Sequence, residues 1–203
     1  RLPDDDIIAE EKTNYYGGTK NRWIIDPLDG TTNYAHGYPF FCTSIAYEER
    51  GDITLGVVYN PIFNELFFCR KGSGAYLNRE RIKVSRIRNM KEALLSTGFP
   101  YDLPRSKRNN IDNFLKFLSK AQAIRRDGSA ALNLSYLACG RFDGHWELML
   151  NPWDMAAGYL MVKEAGGTVT TFTGEAFSIY GDEIAASNGL IHQDMLDVLG
   201  EGA

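Results

Sequence analysis

An apolar run ending in an acid, a proline and a second acid constrains this chain more than any other stretch: Ile24-Ile25-Asp26-Pro27-Leu28-Asp29-Gly30-Thr31-Thr32. Proline has no N–H and cannot extend a strand ladder, so the strand is expected to stop at Asp26. The turn that follows would hold both carboxylates close together, with Asp29 at the surface. Glycine then opens a helix whose first N–H groups, at Gly30, Thr31 and Thr32, converge and favour an anion. Two carboxylates about 4 Å apart repel by roughly 1 kcal/mol in water and by several at lower dielectric. A divalent cation reverses that sign, and oxygen ligands suit magnesium. Short strings of this kind also close ordinary turns, so the string alone leaves both readings open.

Two further acid positions bear on the choice. Glu10-Glu11 follows the apolar pair Ile7-Ile8, and Asp154 opens a predicted helix at Trp153. Each has a plain alternative: a solvated acidic pair, and a favourable charge at a helix start. A composition of 44% hydrophobic and 24% charged residues excludes a disordered chain. A net charge of -4 weighs against a protein held by nucleic-acid phosphates, and no nucleic-acid partner is expected. Cys42, Cys69 and Cys139 lack CxxC spacing and read as buried thiols in a reducing compartment. No apolar run approaches the roughly 18 to 20 residues needed to span a bilayer. The first residues lack the apolar core of a signal peptide. A cytoplasmic location without membrane association is therefore expected.

The chain reads as one domain over 1–203, with sub-lobes of about 1–100 and about 108–203 parted near Gly98 to Arg108. In the first sub-lobe, strands are expected at 22–26, 42–49, 53–60, 66–70, 75–77 and 82–84. Arg50-Gly51-Asp52 and the polar segment 78–81 supply two hairpin turns. In the second, apolar spacing predicts helices over 110–121, from Ala130 to Ala138, over 153–165 and over 191–199. Strands are expected at 122–126, 142–148, 168–172 and 184–186. His36, His145 and His192 are scattered and carry no assigned role. Arg105 to Arg108, and Arg125-Arg126, read as solvated faces or subunit contacts.

In combination these segments resemble the inositol monophosphatase family of magnesium-dependent, lithium-sensitive phosphatases. The matching stretches are Ile8-Ala9-Glu10-Glu11, Trp23 to Asn33, Gly128-Ser129-Ala130-Ala131, Asn151 to Gly158, Glu164-Ala165-Gly166-Gly167 and Ala186-Ser187-Asn188-Gly189. The resemblance implies an α/β fold, a layered αβαβα sandwich of the inositol monophosphatase and fructose-1,6-bisphosphatase type, and a homodimer. Glu10, Asp26 and the Leu28 carbonyl are implied as ligands of a first magnesium, and Asp26, Asp29 and Asp154 as ligands of a second. A third ion would be weakly held, and manganese would substitute. Charge counting agrees: four carboxylates plus a phosphate of about -2 need at least two divalent ions.

The resemblance further implies that Glu10 and the Thr31 hydroxyl orient the attacking water, and that the amides of Gly30 and Thr31 hold the phosphate. Asp29, Ser129, the backbone of Ala130, Glu147 and Asp154 would contact the hydroxyls of a small phosphorylated polyol or sugar. Glu11 remains a neighbour. The implied reaction is hydrolysis of inositol monophosphate. The alternatives are a fructose-1,6-bisphosphatase or dual-specificity sugar phosphatase, a 3'-phosphoadenosine 5'-phosphate phosphatase and a histidinol phosphatase. The last two branches commonly place lysine after Asp-Gly-Thr, where this chain has Thr32-Asn33. A metal-binding scaffold without turnover is the non-enzyme alternative. Family members carry about 60 further residues before the first match, enough for two helices at ordinary lengths. The complete protein is expected to have those helices, with a mobile lysine loop and an acid bonded to the catalytic threonine.

Overall fold

Strand periodicity sets the first sheet. In β3 (Cys42–Glu49) and β5 (Glu65–Arg70) alternate residues are buried along the strand, as a sheet with one covered face requires. The computed structural model describes residues 4–11, 15, 17–100 and 108–201. Its first sheet has seven strands in chain order. β1 (Asp6–Ala9) pairs parallel with β2 (Asn21–Asp29), and antiparallel pairings carry the ladder through β3, β4 (Asp52–Asn60), β5, β6 (Gly74–Leu77) and β7 (Glu80–Ile82).

Both expected hairpins form. Arg50-Gly51 and Asn78-Arg79 have φ of 54°, 93°, 47° and 76°, the left-handed pair that a two-residue turn between twisted strands demands. Because the second turn needs only two residues, β7 begins at Glu80 rather than at the expected Ile82. β2 also departs from expectation, running through Pro27 to Asp29. The ladder shifts register between Asp26 and Asp29, and a bulge of this kind asks for no N–H at the proline. The Pro27 carbonyl accepts the Thr43 hydroxyl at 2.9 Å.

The second sheet runs β11 (Thr168–Thr170), β12 (Glu183–Ser187), β10 (Gly144–Leu148), β8 (Leu94–Thr97), β9 (Ala123–Arg125). Between the sheets lie α3 (Ala130–Ala138) and α4 (Pro152–Glu164). α4 packs on β2 to β6 from one side and on β11 and β12 from the other, and α3 meets β3, β4, β8 and β10. Buried residues run almost without interruption from Met155 to Val162, as a helix enclosed on both sides requires. α2 (Ile111–Leu118) and α5 (His192–Gly200) cover the far face of the second sheet. There Phe117 stacks on Trp146 with ring centroids 4.0 Å apart. The described residues thus form the layers β, α, β, α of the expected sandwich. On the face of the first sheet turned away from α4, Tyr59, Leu66 and Phe68 are exposed.

α3 and α4 approach closely because Gly158 has no side chain. A Cβ there would lie 2.5 Å from the Leu134 side chain. Gly158→Ala is expected to lower the melting temperature by several degrees through overpacking of about 1–3 kcal/mol, read by calorimetry. An unchanged transition would mean that the helices separate at no cost.

Candidate active site

The bulge in β2 turns Asp26 and Asp29 toward the start of α4, where Asp154 projects from the first turn. One carboxylate oxygen from each of the three lies within 4.8 Å of the others. In each residue one oxygen is engaged. Asp26 Oδ1 accepts from the Leu28 amide at 2.8 Å, and Asp154 Oδ2 accepts from the Asn151 amide at 2.7 Å. Asp29 Oδ2 accepts from the Ser129 hydroxyl at 2.6 Å and from the Ala131 amide at 2.8 Å. No described residue donates to the other oxygen of any of the three. This is the donor set a hard divalent cation takes: carboxylates each anchored through one oxygen and bringing an oxygen within 4.8 Å of the others'.

Asp29 corrects the expectation of a surface turn. It is 8% exposed and caps the start of α3, where free N–H groups favour a negative charge. Burial nevertheless dominates and raises its pKa to about 6 against the help of Ser129 and Ala131. Burial raises Asp154 to about 7, opposed by the Asn151 amide. It also lifts Asp26 well above the carboxylate range, reinforced by the charges of Asp29 and Glu10. Two buried carboxylates and the half-buried Asp154, all resisting ionisation, form a site short of positive charge.

Glu10 lies just past the end of β1, exposed, on the same pocket wall as Asp26 and Thr31. Gly30 starts α1 (Thr31–Ala35) at φ 93°, and a Cβ there would fall 2.9 Å from the Phe40 carbonyl. Only glycine fits the turn that aims this short helix at the pocket. The Thr31 hydroxyl donates to the Leu28 carbonyl at 3.1 Å. Asn33, read in the sequence only as a branch marker, is a clamp. Its amide donates to the carbonyls of Phe40 and Asp127, each at 2.7 Å, and ties α1 to the segment before β3 and to the loop after β9.

The opposite wall comes from the second sheet's side of the fold. Ala130, Glu147, Gly98 and Phe99 line it. Ser129, expected at the substrate, stands behind Asp29 at 1% exposure, its oxygen also accepting from the Leu132 amide at 3.3 Å. Arg126, read as a solvated face, lines the pocket, its guanidinium carbon 5.9 Å from the centre of the Phe99 ring. It is the one basic side chain among the described lining residues. Arg108 does sit on an exposed face, paired with Asp182 and Glu183; Arg105 and Lys107 lie outside the described residues.

Two mixed sheets around a buried helix pair, with a carboxylate cluster at the junction of β2, α3 and α4, define a phosphatase of the layered α/β type. The family model described as "Inositol monophosphatase family" matches residues 1–200. A fructose-1,6-bisphosphatase/inositol-1-monophosphatase of Thermotoga maritima is 43% identical over 201 residues, 98% of this chain and 75% of its own. A protein named Nus factor SuhB, of Vibrio cholerae, is 46% identical over 191 residues, 92% of this chain and 70% of its own. The solved inositol monophosphatase of Anabaena (Nostoc) sp. PCC 7120 superposes with a TM-score of 0.95 at 43% identity, covering 98% of this chain and 80% of that one. The chain belongs to the inositol monophosphatase family. No helix among its described residues is long and apolar enough to cross a membrane.

Proposed function

We propose that this phosphatase hydrolyses a small polyol phosphate, inositol monophosphate foremost, and does so with magnesium. The observation that carries the reading is the convergence of Asp26, Asp29 and Asp154 in a pocket that Glu10, Thr31 and Glu147 also line. Those three aspartates, with Glu10 and the Leu28 carbonyl, would hold the ions. Bound magnesium supplies positive charge against the phosphate and acidifies a water.

The chain's own groups do the rest. The Thr31 hydroxyl donates its hydrogen bond to the Leu28 carbonyl, which leaves its oxygen lone pairs as an acceptor for the pocket. Glu10 is a second acceptor, and the two orient a water's O–H bonds while its lone pair faces phosphorus. The amides of Gly30 and Thr31 take phosphate oxygens, and transfer goes directly to water. Ser129 fixes the rotamer of Asp29 and does not touch substrate. Across the pocket, Glu147 and the Ala130 backbone receive the sugar-ring hydroxyls. We carry over a homodimer and a cytoplasmic location as expectations of the family.

The test is phosphate release from inositol 1-phosphate, fructose 1,6-bisphosphate and 3'-phosphoadenosine 5'-phosphate, each with and without magnesium. The inositol ester is expected to turn over fastest and to lose turnover on chelation. Hydrolysis of the nucleotide alone, or release indifferent to chelation, would overturn the reading. Arg126 favours one alternative, a sugar bisphosphate whose second phosphate meets the guanidinium. On that reading Arg126→Ala depresses the bisphosphate and leaves the monophosphate ahead.

A further inference from the structure

We infer that His145 is a positioning residue for Glu147, and that the imidazole together with the bare Cα of Gly98 fixes this carboxylate to select substrates with vicinal hydroxyls. The inference rests on the reading of Glu147 as the hydroxyl acceptor. His145 and Glu147 are two residues apart on β10 and therefore project from the same face of the sheet. Glu147 lines the pocket with its side chain 12% exposed, while His145 behind it is wholly buried.

Next door on β8, Ser96 is the register partner of His145, and its hydroxyl lies 3.0 Å from Nδ1. The other ring nitrogen, Nε2, has no hydrogen-bond partner. It faces Glu147 Oε2 at 3.4 Å. Two proton arrangements are open to the imidazole. In one, Nδ1 carries the hydrogen and donates to Ser96. The buried serine proton then has no acceptor, and the Nε2 lone pair faces a carboxylate oxygen. In the other, Ser96 donates to Nδ1 and the Nε2 hydrogen lies beside Oε2, N to O 3.4 Å, without the alignment of a hydrogen bond. The second arrangement pairs the Ser96 hydroxyl, and a buried donor left without an acceptor is the costly outcome. It sets the Ser96–His145 hydrogen bond behind Glu147 and turns the positive edge of the ring, at Nε2, toward one carboxylate oxygen.

Gly98 closes the other side. A Cβ built there would fall 1.8 Å from Glu147 Oε1 and 2.6 Å from Oε2. The carboxylate therefore lies against the glycine backbone and fills the space where any other residue would put a side chain. Held between ring and backbone, Glu147 can rotate little and keeps its acceptor lone pairs on the pocket. An acceptor of fixed direction discriminates strongly between a ligand that offers hydroxyls and one that does not. A carboxylate free to swing toward water would discriminate less. Neither His145 nor Gly98 belongs to the acid cluster, so the device is expected to act first on recognition of the ligand.

The experiment compares inositol 1-phosphate with p-nitrophenyl phosphate, which has no hydroxyls. The readout is the ratio of their kcat/KM values in the wild type, His145→Phe, His145→Gln, Gly98→Ala and Glu147→Gln. His145→Phe keeps an aromatic ring, somewhat larger, and removes the donor. It is expected to lower the ratio about tenfold, through KM for the inositol ester and with little change in kcat. His145→Gln, which can place an N–H near the position of Nε2, is expected to recover most of the ratio. Gly98→Ala displaces only the end of a flexible side chain, so it folds even where a buried His145 variant fails to, and it is expected to lower the ratio as well. A ratio unmoved by Gly98→Ala and His145→Phe, with Glu147→Gln lowering it, overturns the positioning role and leaves the reading of Glu147 standing. A ratio unmoved by Glu147→Gln overturns the hydroxyl reading itself. Equal loss on both substrates without rescue by His145→Gln assigns His145 to packing alone and overturns the inference.

Discussion

Asp29→Asn is expected to reduce phosphate release about a thousandfold or more, the scale on which removing one charged contact from a developing phosphoryl charge acts, while the protein stays folded. Folding survives for a reason that the turn alone does not provide. The asparagine side-chain oxygen can take over from Oδ2 and still accept from the Ser129 hydroxyl and the Ala131 amide. The variant loses a carboxylate that burial already disfavours. Above pH 6, without divalent cation, Asp29→Asn is therefore expected to melt higher than the wild type. The two readouts move in opposite directions, which an ordinary destabilising substitution does not do. Wild-type activity in Asp29→Asn would remove this residue from the mechanism. A lower melting temperature would mean that the asparagine cannot keep the contacts to α3.

The contrast between Asp29 and Ser129 explains what the sequence could disclose. Asp26, Pro27, Asp29 and Gly30 are contiguous, so their joint meaning survives in one dimension, and the expected meeting of carboxylates follows from a single turn. That Asp29 is buried does not follow, because what buries it is the start of α3, one hundred residues away along the chain. The resemblance brings Ser129 to the site as a substrate contact, and nothing in the sequence marks it as a support behind an acid. Arg126 belongs to a charged doublet, and charged doublets usually face water; only the packing of β9 beside Phe99 brings it to the pocket. β1 and β8 escaped prediction for a different reason. Each has four residues, and three of the four in β8 are buried without alternation, so neither carries the period of two by which strands are read. The one signal for His145 is its spacing of two from Glu147 within the strand expected at 142–148, which puts both on one face but does not show that Ser96 and Gly98 of another segment stand against them.

The acid cluster also fixes how stability should respond to pH and to metal. A carboxyl group whose pKa is raised on folding holds its proton in the native state after the unfolded chain has lost it. Its contribution to stability is thus complete below the unfolded pKa near 4 and disappears as pH rises through the folded value. For Asp29 that loss is complete above about pH 6 and for Asp154 above about pH 7, both values having burial as their first cause. Between pH 5 and pH 8 the metal-free protein should lose on the order of 1 kcal/mol from Asp29 and 3 kcal/mol from Asp154. For a chain of this length that corresponds to a melting temperature lower by about 10 °C, before the raised Asp26 is added. Magnesium binds the ionised, native arrangement and should reverse the loss. Its effect on melting is expected to be large at pH 8 and small at pH 5, where protons occupy the same oxygens. Scanning calorimetry at both pH values, with EDTA and with magnesium, measures all four corners of this cycle. A metal-free protein more stable at pH 8 than at pH 5 would show that these carboxylates separate when they ionise, and with that the case for a shared cation between them would fail.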